Sequence, residues 1–114
     1  MKKTLIVVTA ALALPLCPAA AAAQIPTSQV VLDNPSVRVT ILTIPPGGST
    51  GRHSGIEAEV GMVVEGELTL DSPTGRQTLR AGTAYWLPGL TPHDLRNEGK
   101  TPAKVWDMLL KRCD

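Results

Sequence analysis

The fold is decided by GGSTGRHSGIEAEVGMVVEG, residues 47–66, which combines metal-ligand side chains, strand alternation and glycine-marked turns. His53 and Glu59 are six residues apart, and an even spacing can place both side chains on one face of an extended chain, despite the bend that the glycines favour. A second stretch, residues 82–97, contains His93, the only other histidine of the chain. The set of candidate metal ligands is therefore small: His53, Glu59 and His93.

The two stretches resemble the two signature motifs of the cupin superfamily. The first motif, G(x)5HxH(x)3,4E(x)6G, is matched in register by Gly47, His53, Glu59 and Gly66. The second motif, G(x)5PxG(x)2H(x)3N, is matched by Gly82, Pro88, His93 and Asn97, with the middle glycine displaced to Gly89 and Leu90 in its place. The resemblance covers about residues 30–110, which is nearly the whole chain after its leader.

This resemblance implies a small jelly-roll barrel, or double-stranded β-helix, with a divalent metal (Fe, Mn, Zn or Ni) held in its lumen by His53, Glu59 and His93. Where the family has the second histidine of HxH, this chain has Gly55, so one of the four usual ligands is missing. The remaining set is either a two-histidine, one-carboxylate triad with open positions, which suits non-haem Fe(II) and related ions, or a decayed site. Glu57 offers a second carboxylate if it does not turn to solvent.

The pattern of the chain after its leader predicts an all-β domain. Short apolar and β-branched runs are separated by Gly, Pro, Asn and Asp, and no run has a convincing helical period. The predicted strands are residues 30–32, 37–44, 59–65, 68–70, 77–80, 83–87 and 103–110. His93, Leu95 and Asn97 share one face by parity, and we expect the amide of Asn97 to hold a turn.

The strand at residues 59–65 predicts a partner subunit. Its odd positions begin with Glu59 and Gly61, and its even positions are Val60, Met62 and Val64. If Glu59 faces the lumen, Gly61 leaves room beside it for a ligand, and the even positions form an apolar stripe on the outside. Because a barrel exterior is rarely apolar unless something covers it, we expect a homodimer.

Residues 1–23 predict a secretory signal peptide. Lys2 and Lys3 precede an apolar run too short to span a bilayer comfortably, and Ala21, Ala22 and Ala23 form a small-residue cleavage site. A retained anchor or a core helix is the alternative. We expect cleavage after Ala23, no stable membrane insertion afterwards, and a periplasmic or secreted protein.

The remaining 91 residues contain a polar linker, residues 24–29, and a single domain, residues 30–112. They contain nine basic and ten acidic residues and three aromatic ones, a composition that argues against nucleic-acid binding. Cys113 has no cysteine to pair with in the mature chain.

Three functional classes remain open from the sequence. The first is a metal-dependent enzyme, such as a dioxygenase-type oxidoreductase, acting on a small organic molecule. The second is a non-catalytic module that binds a metal or a small molecule, and the third is a structural barrel with a decayed metal site. No base-paired nucleophile or phosphate loop is recognisable, and a fold alone does not select an activity.

Overall fold

The computed structural model describes residues 24–111, which form eight antiparallel β-strands and no helix, so the all-β prediction is confirmed. The predicted leader and Cys113 lie outside these residues. Within residues 24–111 there is no helix of the length and apolarity needed to cross a membrane. The strands are β1 (Thr27–Asp33), β2 (Val37–Ile44), β3 (Ala58–Glu65), β4 (Glu67–Ser72), β5 (Gly75–Arg80), β6 (Ala84–Leu87), β7 (Asp94–Arg96) and β8 (Ala103–Leu110).

The strands form two sheets. One has five strands in the order β1-β2-β8-β3-β6, and the other has three in the order β5-β4-β7. Inward side chains of both sheets pack into one core, whose fully buried members are Ile44, Val63, Leu68, Leu79, Ala103 and Val105. Each of the larger aliphatic side chains contributes about 2 kcal/mol when it is removed from water. Other residues of the two sheets and their loops, near His93, line a cavity.

The alternation predicted for β3 is confirmed. Glu59, Gly61 and Val63 face inward and are buried, whereas Met62 and Val64 are exposed. The apolar stripe extends across the neighbouring strands, because Val60 is paired with Trp86 and Met108, and Met62 with Trp106. The outer face of the five-stranded sheet is therefore apolar over several strands.

The first strand begins earlier than the sequence predicts. β1 starts at Thr27, so residues 27–29, which the sequence analysis assigned to the linker, pair with β2. Thr27 lies opposite Thr43 and Gln29 opposite Ile41. A polar segment without apolar alternation can still form an edge strand, because the hydrogen bonds between strands are made by the backbone and not by the side chains.

Two loops position the site. Asn97 is buried and holds the loop after β7, as expected: its Nδ2 donates to the carbonyls of Ile44 (2.9 Å) and Thr101 (2.8 Å), and its Oδ1 accepts from Gly99 N (3.0 Å). In the corner after β6, Leu90 N donates to Gly55 O (2.7 Å).

The displaced glycine of the second motif has a structural reason. Leu90 has φ of 64°, the left-handed conformation that favours glycine. At Gly89, by contrast, a Cβ atom would collide with the backbone oxygen of Ile56. Both positions therefore favour glycine, and this chain has it at the first, where no side chain fits.

Candidate metal centre

Main-chain pairing brings the two histidines together. His53 N donates to His93 O (3.0 Å) and His93 N donates to His53 O (2.9 Å), which makes an isolated antiparallel bridge. The two side chains of such a pair project to the same side, and the ring centroids lie 4.3 Å apart. His53 is exposed at the mouth of the barrel, and His93 is buried.

Both imidazoles are oriented in the same way. His53 Nδ1 lies 2.8 Å from Gly51 O, and His93 Nδ1 lies 2.8 Å from Thr91 O, in each case the carbonyl two residues earlier in the chain. A carbonyl only accepts hydrogen bonds, so each Nδ1 carries a proton and donates it. In the neutral ring this leaves the Nε2 lone pair free, the arrangement by which metal-binding histidines are commonly held.

Glu59 completes the group. Its Oε2 lies 3.3 Å from His93 Nε2, yet that buried nitrogen has no properly directed hydrogen bond. One potential ligand atom from each of His53, Glu59 and His93 lies within 4.8 Å of the others. The structure therefore brings together the three predicted ligands, and an inward, unsatisfied nitrogen beside a carboxylate is what an ion of ordinary bond length, about 2.0–2.2 Å, would satisfy.

Electrostatics favours a positive charge between Glu59 and His93. The adjacent carboxylate of Glu59 raises the pKa of His93 against the opposing effect of burial. Burial disfavours the charge of Glu59, but interactions with His93, Asp107 and Tyr85 outweigh it and lower the pKa of Glu59. Glu59 thus favours a cation at this position, and a metal ion that binds there competes with a proton for His93 Nε2.

The position of the missing histidine is open. A Cβ atom at Gly55 would meet only Glu57 Oε2, at 3.6 Å, which is an ordinary contact. Glu57 is half-buried and lines the same cavity, but it is not part of the group of converging ligand atoms.

Tyr85 is a site residue that the sequence analysis did not identify. Its ring is buried and its hydroxyl donates to Glu59 Oε1 (3.1 Å). A Cβ atom added at Gly61 would fall inside this ring. The expectation that Gly61 leaves room for a ligand is therefore wrong, because Tyr85 fills that room.

Asp107 is the second such residue. It comes from β8 and lines the cavity, and its Oδ1 is buried without a conventional donor. Burial and the nearby carboxylate of Glu59 raise the pKa of Asp107 to about 8. Near neutral pH the Asp107 carboxyl is thus protonated, and it places no second negative charge beside Glu59. A sequence signal existed, since Asp107 is the one acidic residue inside the apolar run 103–110.

The cavity at this site has a volume of about 150 Å³. Its polar lining consists of two histidines, three carboxyl groups and a threonine, and Leu87, Pro88 and Leu109 supply apolar walls. Among the described residues, no lysine or arginine lines it. Such a lining suits a cation and a compact ligand without negative charge.

Comparisons with known proteins agree with the fold. The cupin domain family model matches residues 40–109, and the chain belongs to this family. A crystal structure of a cupin domain from Bordetella pertussis superposes with a TM-score of 0.66 at 31% identity, covering 76% of this chain and 94% of that one. No protein with a curated description matches this sequence.

Two more distant structures share the fold. A cupin 2 conserved barrel domain protein from Salinispora arenicola is 21% identical with a TM-score of 0.69, over 75% of this chain and 76% of that one. A sugar phosphate isomerase of the cupin superfamily from Silicibacter pomeroyi is 20% identical with a TM-score of 0.67, over 76% of this chain and 60% of that one.

Proposed function

We propose that this protein is an exported cupin that binds one divalent metal ion through His53, Glu59 and His93 and presents the ion's open positions to a small organic molecule. The observation that carries the proposal is the orientation of the two imidazoles. Both Nδ1 atoms are bound to backbone carbonyls, and the free Nε2 of His93 faces Glu59 without a hydrogen bond. Metal-binding histidines are commonly held in this arrangement.

The donor set limits the ion and the chemistry. Two imidazoles and one carboxylate suit Fe(II) and also Mn, Zn or Ni, and three protein ligands leave positions for exchangeable ligands. A bound ion would supply Lewis acidity and, if it is iron, redox chemistry with dioxygen. The residues of the chain contribute ligand orientation through Gly51 O and Thr91 O, and Leu87 and Leu109 keep the inner wall apolar.

The ligand we propose is small and not anionic. A cavity of about 150 Å³ holds only a compact molecule, and its carboxyl groups would repel a phosphate or carboxylate. For this reason the activity of the related sugar phosphate isomerase is not carried over to this chain. A dioxygenase-type reaction on such a molecule is the enzyme we propose to test, and metal or small-molecule binding without turnover is the second candidate, favoured by the empty ligand position at Gly55.

The metal content of protein purified without chelator tests this proposal. We expect about one divalent ion per chain in the wild type, measured by elemental analysis. His53→Ala should lose most of the ion, and because His53 is exposed it should leave the melting temperature of the metal-free protein nearly unchanged. Arg52→Ala, the exposed neighbour on the same loop, is the matched control and should keep its ion. Equal metal content in wild type and His53→Ala would refute the triad.

Turnover is tested separately. Metal-loaded wild type is screened for oxygen uptake with a panel of small neutral molecules, and the same panel is run with His53→Ala. Uptake that depends on His53 supports the enzyme, whereas tight metal binding with no uptake across the panel favours the binding module.

Export is part of the proposal because of the leader. Mature protein recovered from outside the cytoplasm should begin at Gln24, which an intact-mass measurement checks. A chain that still begins at Met1 would contradict cleavage after Ala23.

The partner we propose is a second copy of the chain, bound through the outer face of the five-stranded sheet. Two cross-strand rows, Trp86-Val60-Met108-Val39-Leu32 and Ala84-Met62-Trp106-Ile41-Gln29, contain no charged side chain. Trp86 and Trp106 are 56% and 47% exposed. Covering both would bury about 200 Å² of the roughly 800 Å² that each partner of a stable dimer buries. The uncharged rows suit a self-complementary contact between two identical faces.

A further inference from the structure

We propose that Tyr85 is a positioning residue for Glu59, and that Gly61 is the position that permits it. This inference rests on the proposed metal site, because it assigns one Glu59 oxygen to the protein and the other to the ion. Tyr85 and Gly61 occupy positions that the two cupin motifs leave unspecified.

Strand register places the phenol where it is needed. Tyr85 on β6 lies directly opposite Gly61 on β3, and Glu59 faces the same way two residues earlier. Two residues of a strand span roughly 6.7 Å, a distance that the length of a tyrosine side chain can bridge. The ring crosses Gly61, and its hydroxyl meets Glu59 Oε1 at 3.1 Å.

Only glycine at position 61 allows this path. A Cβ atom there would overlap Cζ, Cε1 and the hydroxyl oxygen of Tyr85, so an alanine would force the ring away from Glu59. Position 61 also lies opposite Asp107 on the other neighbouring strand. Tyr85 and Asp107 thus approach Glu59 from two sides across a residue that has no side chain.

The contact has a consequence for coordination. The phenol occupies Oε1, and Oε2 is the oxygen that faces His93 Nε2 at 3.3 Å. Glu59 is thereby held in one orientation and would offer a single oxygen to an ion held by His93. The loss of such an outer partner typically lowers metal affinity 10- to 100-fold.

The alternative is that Tyr85 only fills the core and satisfies its own hydroxyl. Tyr85→Phe separates the two roles, since it keeps the ring over Gly61 and removes only the hydroxyl. We expect Co²⁺ affinity, measured by calorimetric titration of metal-free protein, to fall at least 10-fold in Tyr85→Phe. Leu79→Val, a packing change in the core on β5, is the matched control and should lower the melting temperature without changing Co²⁺ affinity. Unchanged Co²⁺ affinity in Tyr85→Phe would overturn the proposal.

A second measurement needs no metal. Tyr85 is the only tyrosine of the chain, so the ultraviolet resonance Raman bands of its phenol report on this site alone. In metal-free wild type these bands should show that the phenol donates a strong hydrogen bond. In Glu59→Gln, where the acceptor is neutral, they should show a weaker hydrogen bond. Identical phenol spectra would overturn the inference even if Tyr85→Phe failed to fold. If wild type binds no Co²⁺, the metal function is refuted, and this spectrum still decides whether Tyr85 holds Glu59.

Discussion

Replacing Asp107 with asparagine should make the stability of the metal-free protein less dependent on pH. The ordinary pKa of an aspartate is 3.8, and burial raises that of Asp107 to about 8. Between these values the folded protein keeps a proton that the unfolded chain has released. The contribution of Asp107 to stability is therefore fully present below about pH 4 and is lost as the pH rises toward 8.

The size of this change in stability with pH follows from the pKa shift of Asp107. One pKa unit corresponds to 1.36 kcal/mol, so at pH 7, about three units above the unfolded value, Asp107 destabilises the fold by at most about 4 kcal/mol relative to low pH. Asparagine keeps the shape of the protonated carboxyl group, but it has no proton to lose. We expect Asp107→Asn to match the wild type near pH 4 and to be more stable by one to several kcal/mol at pH 8.

Urea unfolding of chelator-treated protein at intervals from pH 4 to pH 8 measures this difference. Asp71→Asn, on β4 and outside the cavity, controls for the general effect of removing one negative charge. Stability profiles of wild type and Asp107→Asn that run parallel over the whole range would refute the protonated, buried Asp107.

Three further substitutions test other features. Gly55→His should slow the loss of metal during dialysis against a chelator, because the position has room for a side chain facing the cavity; an unchanged rate would argue against a fourth ligand there. Trp106→Lys should convert a dimeric wild type into monomers, as measured by light scattering at micromolar concentration, and a monomeric wild type would refute the interface. Leu90→Gly should be more stable in urea than Leu90→Ala by about 0.5–1 kcal/mol. A residue with a Cβ atom loses about 1–2 kcal/mol in the left-handed conformation, and the greater flexibility of unfolded glycine offsets part of this advantage of glycine. If Leu90→Ala were the more stable variant, strain at φ 64° would be contradicted.

The sequence predicted the fold and the grouping of His53, Glu59 and His93 because both depend on local rules. Alternation in β3 determines that Glu59 faces inward, and spacing within each motif places His53 and His93. Tyr85 and Asp107 could not be found in this way, since their roles depend on register between β6, β3 and β8, which are distant in sequence. The alternation of side chains along a strand shows which residues share a face, but it does not show which other strand lies next to it in the sheet.

The same limit explains the error at Gly61. From one strand, a glycine beside a glutamate indicates free space. The neighbouring strand decides whether that space belongs to a ligand or to a protein side chain, and here it belongs to Tyr85. The start of β1 was placed too late for a related reason, because edge pairing with β2 gives no apolar periodicity to detect.

The bridge between His53 and His93 also bears on how such a site could evolve. The two positions are joined by reciprocal backbone hydrogen bonds, so their proximity does not depend on the imidazoles themselves. Exchanging either residue would leave these backbone hydrogen bonds in place and change only the chemical hardness of the atom offered to a metal ion. A cysteine at both positions, for example, would favour a soft ion such as Cu(I) over Fe(II) or Mn(II). If the barrel binds a metal as proposed, the choice of ion is therefore separable from folding, and substitutions at these two positions would change the ion while the fold is kept.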